Sequence, residues 1–319
     1  MVLRAMSDIQ RSRVVAINDL TDCRTVAHLF RWDSTAGPFD GTVEFDDESI
    51  TVNGHRIEVL AERDPGQLPW ADLGVDIVLE STAYHAHRRE AEKHFSGGAK
   101  KVIISAGAHQ PDITVNMGIN DSAYDYENHH LIATGSGFTT CLAPMAKVLN
   151  DSFGIRQGMT TAIGSYLSDQ VLLDQPYHDY RRGRSAPQNV IPGKGYYVGA
   201  SIGQLIPELS GKLSGSVYRI PVPVSGLVDF VAELDRDASA KDINASFKEA
   251  AAGPLKGILE YTEDPIVLKD IVGNPHSCVL DSLCTQTNGN LVKVVGWMDN
   301  EWAYAKRLIE LMELIGEGL

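Results

Sequence analysis

Leu131 to Pro144, LIATGSGFTTCLAP, is the stretch whose reading decides the fold. Leu131, Ile132 and Ala133 read as a short apolar β-strand that runs into a Gly/Ser/Thr-rich turn. The spacing of Leu142, Met145, Val148 and Leu149 then predicts an apolar helix opening near Cys141. A helix N-terminus favours anions and lowers the pKa of a nearby thiol, so such a junction is a natural seat for a nucleophilic cysteine and a phosphate. The competing reading is a structural turn with one buried thiol, the ordinary fate of a buried cysteine.

Working outward, 319 residues suffice for two domains, and 43% hydrophobic with 22% charged residues describes a soluble globular chain. The net charge of −14 argues against nucleic acid or an anionic membrane as the main partner. No apolar run reaches membrane-spanning length, and MVLRAMSDIQ lacks the apolar core of a signal peptide, so a cytoplasmic protein is expected. Cys23, Cys141, Cys278 and Cys284 lack metal-ligand spacing and are read as free thiols. No repeat or low-complexity segment interrupts the chain.

Before the opening stretch, Val2 to Gln10 has helical spacing and leads into the strand Arg13 to Asn18, closed by Asp19. A carboxylate at the end of the second strand of a βαβ unit is where a dinucleotide fold holds the adenosine ribose, although Asp after a strand is also an ordinary turn former or helix cap. The Gly-rich phosphate loop of such a unit would precede Val2. Either the loop is absent or Met1 is an internal methionine of a longer frame. Gly41 to Val59 alternates as a hairpin around Asn53-Gly54, and Val75 to Glu80 and Lys101 to Ser105 are apolar runs of the parallel-sheet type. His85 to Phe95 between them reads as a helix, with His85 and His87 on different faces and so not a metal pair. This alternation up to about residue 150 predicts a doubly wound α/β domain.

After Gly158 the pattern changes to long polar loops, Val- and Pro-rich strands (Tyr218 to Pro223, Gly226 to Leu234), a helix from about Lys241 to Ala252, a last strand Leu291 to Trp297 and a C-terminal helix from about Trp302 to Leu314. These elements predict an α+β domain with an antiparallel sheet covered on one side.

The stretches VVAINDL, ERDP (62–65), GGAKKVIIS (97–105), CLAPMAKVLND, GKLSGSVYRIPVP, GPLKGIL and WMDNEW resemble, in the same order, the phosphorylating glyceraldehyde-3-phosphate dehydrogenase family, including its erythrose-4-phosphate dehydrogenase branch. The resemblance implies a Rossmann-like domain over 1–136 and 301–319, a catalytic-type domain over 137–300, and a homotetramer. It also implies a chemistry in which a thiolate adds to an aldehyde, a His handles the proton, NAD accepts hydride, and two anion sites hold substrate phosphate and inorganic phosphate.

Set against the family motifs, Gly137 (or Phe138, if the two threonines are paired) falls at the catalytic cysteine, and Gly164 (or Ile163, without an insertion) at the catalytic His. Cys141 corresponds to the family's second, structural cysteine. Arg219 matches the substrate-phosphate arginine, and Arg181, Arg182 and Arg184 fall in an arginine-rich loop. Leu167 and Gly195-Tyr196-Tyr197 replace parts of the inorganic-phosphate seat. Asp19, Arg63, Ser81, Thr82 and Ser105 match cofactor-side residues, and Asn300 with Tyr304 matches the pair that orients nicotinamide. Ala83 stands for the glycine of the family's S-T-G, and with the Gly-rich loop outside the sequence NAD binding is expected to be weakened.

The expectation is therefore a divergent member that has lost phosphorylating aldehyde oxidation and binds a small anionic or nucleotide-like ligand in the inherited cleft. Two alternatives are kept: a non-catalytic subunit co-assembling with an active paralogue, and an NAD-dependent aldehyde dehydrogenase whose nucleophile has moved to Cys141. Asp169, His178, Tyr196 and Tyr197 are further candidates for a new chemistry.

Overall fold

The computed structural model describes residues 1–193 and 196–319. They divide into two compact units, one of Met1–Thr114, Tyr124–Thr134 and Leu308–Leu319, the other of Val115–Ala123 and Gly135–Arg307.

In the first unit, β1 (Ala16–Asn18) is followed by helix α1 (Cys23–Arg31) and a meander of β2 (Val43–Phe45), β3 (Ser49–Val52) and β4 (His55–Leu60). These form a sheet in the order β1-β4-β3-β2, with β1 and β4 parallel and the other pairs antiparallel. The turn between β3 and β4 is the expected Asn53-Gly54, both residues at positive φ (50° and 80°), the geometry that lets a two-residue turn match the strand twist. A second sheet, in the order β5-β6-β8-β7, is wholly parallel and combines β5 (Ile77–Glu80), β6 (Lys101–Ile104), β7 (Ile113–Thr114) and β8 (Leu131–Ala133). Every residue of β6 and β8 is buried, which accounts for the apolar runs 102–104 and 131–133; the buried Lys101 at the start of β6 donates through Nζ to the His129 carbonyl at 2.8 Å.

Two expected helices are shorter than their patterns suggest. Val2 to Gln10 is two single turns, Val2–Ala5 and Asp8–Arg11, because Ser7 leaves the helix to cap the second turn in a capping box with Gln10. His85 to Phe95 likewise yields Arg88–Ala91 and Lys93–Ser96, with the His87 side chain accepting from the Arg89 amide as a cap.

The second unit is built on helix α2 (Gly137–Phe153) and an eight-stranded sheet. Its strands are β9 (Ile155–Ser165), β10 (Ile191–Gly193), β11 (Leu213–Ile220), β12 (Gly226–Leu234), β13 (Leu259–Thr262), β14 (Cys278–Asp281), β15 (Gln286–Asn288) and β16 (Leu291–Met298). The order is β10-β11-β9-β12-β16-β14-β13, with β15 also pairing β16. The sheet is mixed rather than purely antiparallel, because β9 runs parallel to β11 and β13 parallel to β14. Helix α2 and helix α3 (Ala240–Ala252) supply Leu142, Met145, Leu149, Ile243 and Phe247 to one core with Val228, Phe230 and Val294 of the sheet. The chain ends in α4 (Trp302–Gly316).

Candidate active site

Helix α2 opens at Gly137, a full turn earlier than its apolar spacing predicts, because Ser136 caps it: the Ser136 Oγ accepts from the Thr139 amide at 3.2 Å. Gly135, at φ +74°, makes the bend into the cap, and its carbonyl accepts from the Tyr304 hydroxyl at 2.8 Å. The first helical turn, Gly137 to Thr140, contains no thiol. A side chain at 137 would meet the mobile end of Met298, with the Cβ 3.1 Å from its Cε. Cys141 is fully buried and aims into the core, its Sγ 3.6 Å from the Gly296 carbonyl it donates to. Burial pushes this thiol well above its ordinary pKa, and contact with Cys278 pushes it the same way. It is a protonated packing group in this arrangement.

Around the helix start, Phe138, Gly164 and Arg219 form one cluster. Gly164 lies directly opposite Arg219 on β11 and opposite Gly226 on β12, so all three share a register row of the sheet. A Cβ at Gly164 would stand 2.6 Å from the Phe138 Cζ, which means the ring occupies the space of the absent side chain. Ile163 alternates to the other face of β9. The Arg219 guanidinium carbon sits 5.1 Å from the Phe138 ring centroid, and Nη1 donates to the Ser165 carbonyl at 3.0 Å. Burial lowers the Arg219 pKa, Arg182 adds to the lowering, and Tyr197 and Asp169 oppose it. Asn300 is fixed beside them: its Oδ1 accepts from the Ser225 amide at 2.6 Å and from the Ser165 hydroxyl at 3.5 Å. With Oδ1 committed, the amide nitrogen of Asn300 has no hydrogen-bond partner among the described residues. The Ser225 hydroxyl is buried with no hydrogen-bond partner among the described residues, and Ser225 itself has φ +71°.

Arg182, Asp169 and Tyr197 act on the Arg219 charge electrostatically, whereas Arg184 and His178 are engaged elsewhere. Arg182 pairs directly with Asp169. Arg184 instead pairs with Asp174 at 2.7 Å and helps fold its own loop. His178 is exposed and packs against Tyr177, the rings tilted and their centroids 4.4 Å apart. Gly195 and the Tyr196 side chain lie outside the described residues.

In the first unit the expected cofactor residues stand at the C-terminal ends of parallel strands, where open α/β sheets receive ligands. Asp19 continues the β1–β4 ladder through its amide to the Leu60 carbonyl (2.9 Å) and turns its Oδ1 back to the Thr21 amide (3.0 Å). Asn18 grips the segment ahead of exposed Arg63 through two bonds to Glu62, each 2.9 Å. Ser105 donates to the Ser81 hydroxyl at 3.0 Å. Thr82 is held by Glu80, whose Oε1 accepts from the Thr82 amide (2.6 Å) and hydroxyl (2.5 Å). Behind Glu80 lies a buried relay: Trp70 Nε1 donates to His94 Nδ1 at 3.1 Å, and His94 Nε2 meets Glu80 Oε2 at 3.2 Å. Because Trp70 can only donate, Nε2 carries the His94 proton and donates to Glu80. Burial would raise the Glu80 carboxyl, but the bonds from His94 and Thr82 outweigh it and hold it below its usual range. The relay escapes sequence reading because residues 70, 80 and 94 share no motif. Only the apolar setting of a Glu at the end of β5 hints at a buried partner.

The first unit is thus an α/β fold with polar strand ends, and the second a mixed sheet presenting a half-buried arginine. Two family models match in sequence: glyceraldehyde 3-phosphate dehydrogenase, NAD binding domain, over residues 1–88, and glyceraldehyde 3-phosphate dehydrogenase, C-terminal domain, over residues 136–300. The chain is 49% identical to the glyceraldehyde-3-phosphate dehydrogenase of Priestia megaterium (strain DSM 319 / IMG 1521) over 317 residues, 98% of this chain and 94% of the relative. It is 48% identical to glyceraldehyde-3-phosphate dehydrogenase 1 of Bacillus subtilis (strain 168), covering 99% and 94%. With the Streptomyces coelicolor (strain ATCC BAA-471 / A3(2) / M145) glyceraldehyde-3-phosphate dehydrogenase the identity is 48%, covering 96% and 91%. The chain belongs to the glyceraldehyde-3-phosphate dehydrogenase family. Near-half identity along almost the whole length overturns the expectation of a divergent protein that has lost aldehyde oxidation, and with it the non-catalytic subunit and the pseudoenzyme.

Proposed function

We propose that the chain oxidises glyceraldehyde 3-phosphate with NAD as a glyceraldehyde-3-phosphate dehydrogenase. The observation that carries this reading is 48–49% identity to dehydrogenases of that name across nearly all of both chains. In the first unit, hydroxyls of Ser81, Thr82 and Ser105 and the Asp19 carboxylate stand at strand ends, as a dinucleotide requires; in the second, taken by itself, Asn300, its Oδ1 taken by the Ser225 amide, offers an amide nitrogen. Arg63 lies in the same strand-end set, and Tyr304 holds the backbone beside the helix cap. NAD when bound supplies the hydride acceptor. Arg219, with Arg182 close enough to shift it, binds the substrate phosphate, and Ser165 holds Arg219 through its carbonyl. Arg184 serves this site indirectly by ordering the loop that carries Arg182. Four free cysteines fit a reducing, cytoplasmic setting, and self-association into a homotetramer is part of the same reading.

The test is NADH formation from glyceraldehyde 3-phosphate and phosphate by the purified chain, with Arg219→Gln beside it. Turnover is expected, with KM for the aldehyde raised at least tenfold in Arg219→Gln, the loss of a charge-assisted contact. Absence of turnover at every pH from 6 to 9 overturns the reading.

A further inference from the structure

We propose that Phe138 is a positioning residue for the anion site, holding the Arg219 guanidinium in place from the space that Gly164 vacates. The proposal rests on the reading that Arg219 receives the substrate phosphate. Three observations carry it. The Phe138 ring is buried at 6% exposure and occupies the place of a residue-164 side chain, since a Cβ there would come within 2.6 Å of its Cζ. Arg219 lies in the same row of the sheet, its guanidinium carbon 5.1 Å from the ring centroid. Of the guanidinium's five N–H donors, one is engaged among the described residues, by the Ser165 carbonyl at 3.0 Å.

A half-buried arginine with one hydrogen bond and no ion pair among the described residues, Asp169 being paired with Arg182, needs another source of order. The electron-rich face of an aromatic ring supplies it without consuming a donor, so the remaining N–H groups stay available for an anion. A carboxylate in the ring's place would neutralise the cation and compete with phosphate. A histidine at 164 could not coexist with the ring. Phe138 and Gly164 are thus one matched pair, and the bulk of one presupposes the smallness of the other.

Two kinds of measurement test this. Inorganic phosphate binding to the NAD-loaded protein, followed by calorimetry, should weaken about fivefold in Phe138→Leu and Phe138→Met, the factor that one cation–π contact gives, and stay within twofold of wild type in Phe138→Tyr. KM for glyceraldehyde 3-phosphate should rise by a similar factor, more than kcat falls. For the matched pair, Gly164→Ala should lower the melting temperature in the wild-type background and leave it unchanged in Phe138→Ala. Unchanged phosphate affinity in both Phe138→Leu and Phe138→Met, or a Phe138→Tyr variant as weak as they are, overturns the proposal. So does an Arg219→Gln variant that binds phosphate like wild type. A protein that fails to oxidise the aldehyde, yet loses phosphate affinity in Arg219→Gln and Phe138→Leu alike, sinks the proposed activity and leaves the positioning role standing.

Discussion

Glu80 shows how a single side chain can join stability to a ligand-facing loop. Its carboxylate is 5% exposed and accepts from His94 on one oxygen and from Thr82 twice on the other, so the end of β5 and residues 81–82 keep one conformation. The folded-state pKa lies below the unfolded value, near 4.3 for glutamate. The stabilisation is therefore fully present above that unfolded value and is lost as pH falls through the lower folded one. Glu80→Gln should cost about 1–2 kcal/mol at pH 7 by chemical denaturation, and the difference from wild type should close below pH 4. A difference that persists unchanged at pH 3 would show that shape rather than charge matters at this position. None of this is legible in the sequence, where Glu80 reads only as the end of an apolar run. Arg219 and Asn300, by contrast, are marked as candidates by motifs that are local, VYRIP and WMDNEW.

At the scale of the element, the loop after β5 departs from its family's glycine. Ala83 adopts φ +61°, the left-handed region where a Cβ crowds the following carbonyl at a cost of roughly 1–2 kcal/mol. The hydrogen bonds of Thr82 to Glu80 hold it there, with the Tyr84 amide donating back to the Thr82 hydroxyl at 3.2 Å. Ala83→Gly relieves that strain and gives back part of the gain as unfolded-chain entropy, leaving about 0.5–1 kcal/mol and a melting temperature higher by about 2 °C. An unchanged or lower melting temperature would mean that the loop is not strained as drawn. The start of α2 was misplaced in the sequence for a related reason. Apolar spacing locates the buried face of a helix, whereas its first turn is set by the cap, and here Ser136 extends the helix back over Gly137 and Phe138. That one-turn shift puts Phe138 inside the helix and over Gly164.

At the scale of the whole molecule, alternation of strand and helix is legible before about residue 150, but the change of pattern after Gly158 falls inside the second compact unit, which already includes Val115–Ala123 and resumes at Gly135. Mixed pairing in the large sheet was not readable, because β9 and β11 are parallel neighbours separated by a long polar segment whose path no local pattern fixes. Along that same segment lie Leu172 (72% exposed), Leu173 (73%), Tyr180 (92%) and Val190 (62%). A chain of net charge −14 repels its copies, so apolar side chains held outward in one loop are what an interface between copies would need to overcome the repulsion. Native mass spectrometry and light scattering should give a mass four times 34.7 kDa for the wild type. If copies associate through this loop, the double substitution Leu172→Asp and Leu173→Asp removes apolar area and adds two charges per chain there, so it should shift the population to smaller species at micromolar concentration, with the circular dichroism spectrum unchanged. A wild type that is monomeric at that concentration, or a double variant with undiminished mass, would assign these leucines no part in assembly.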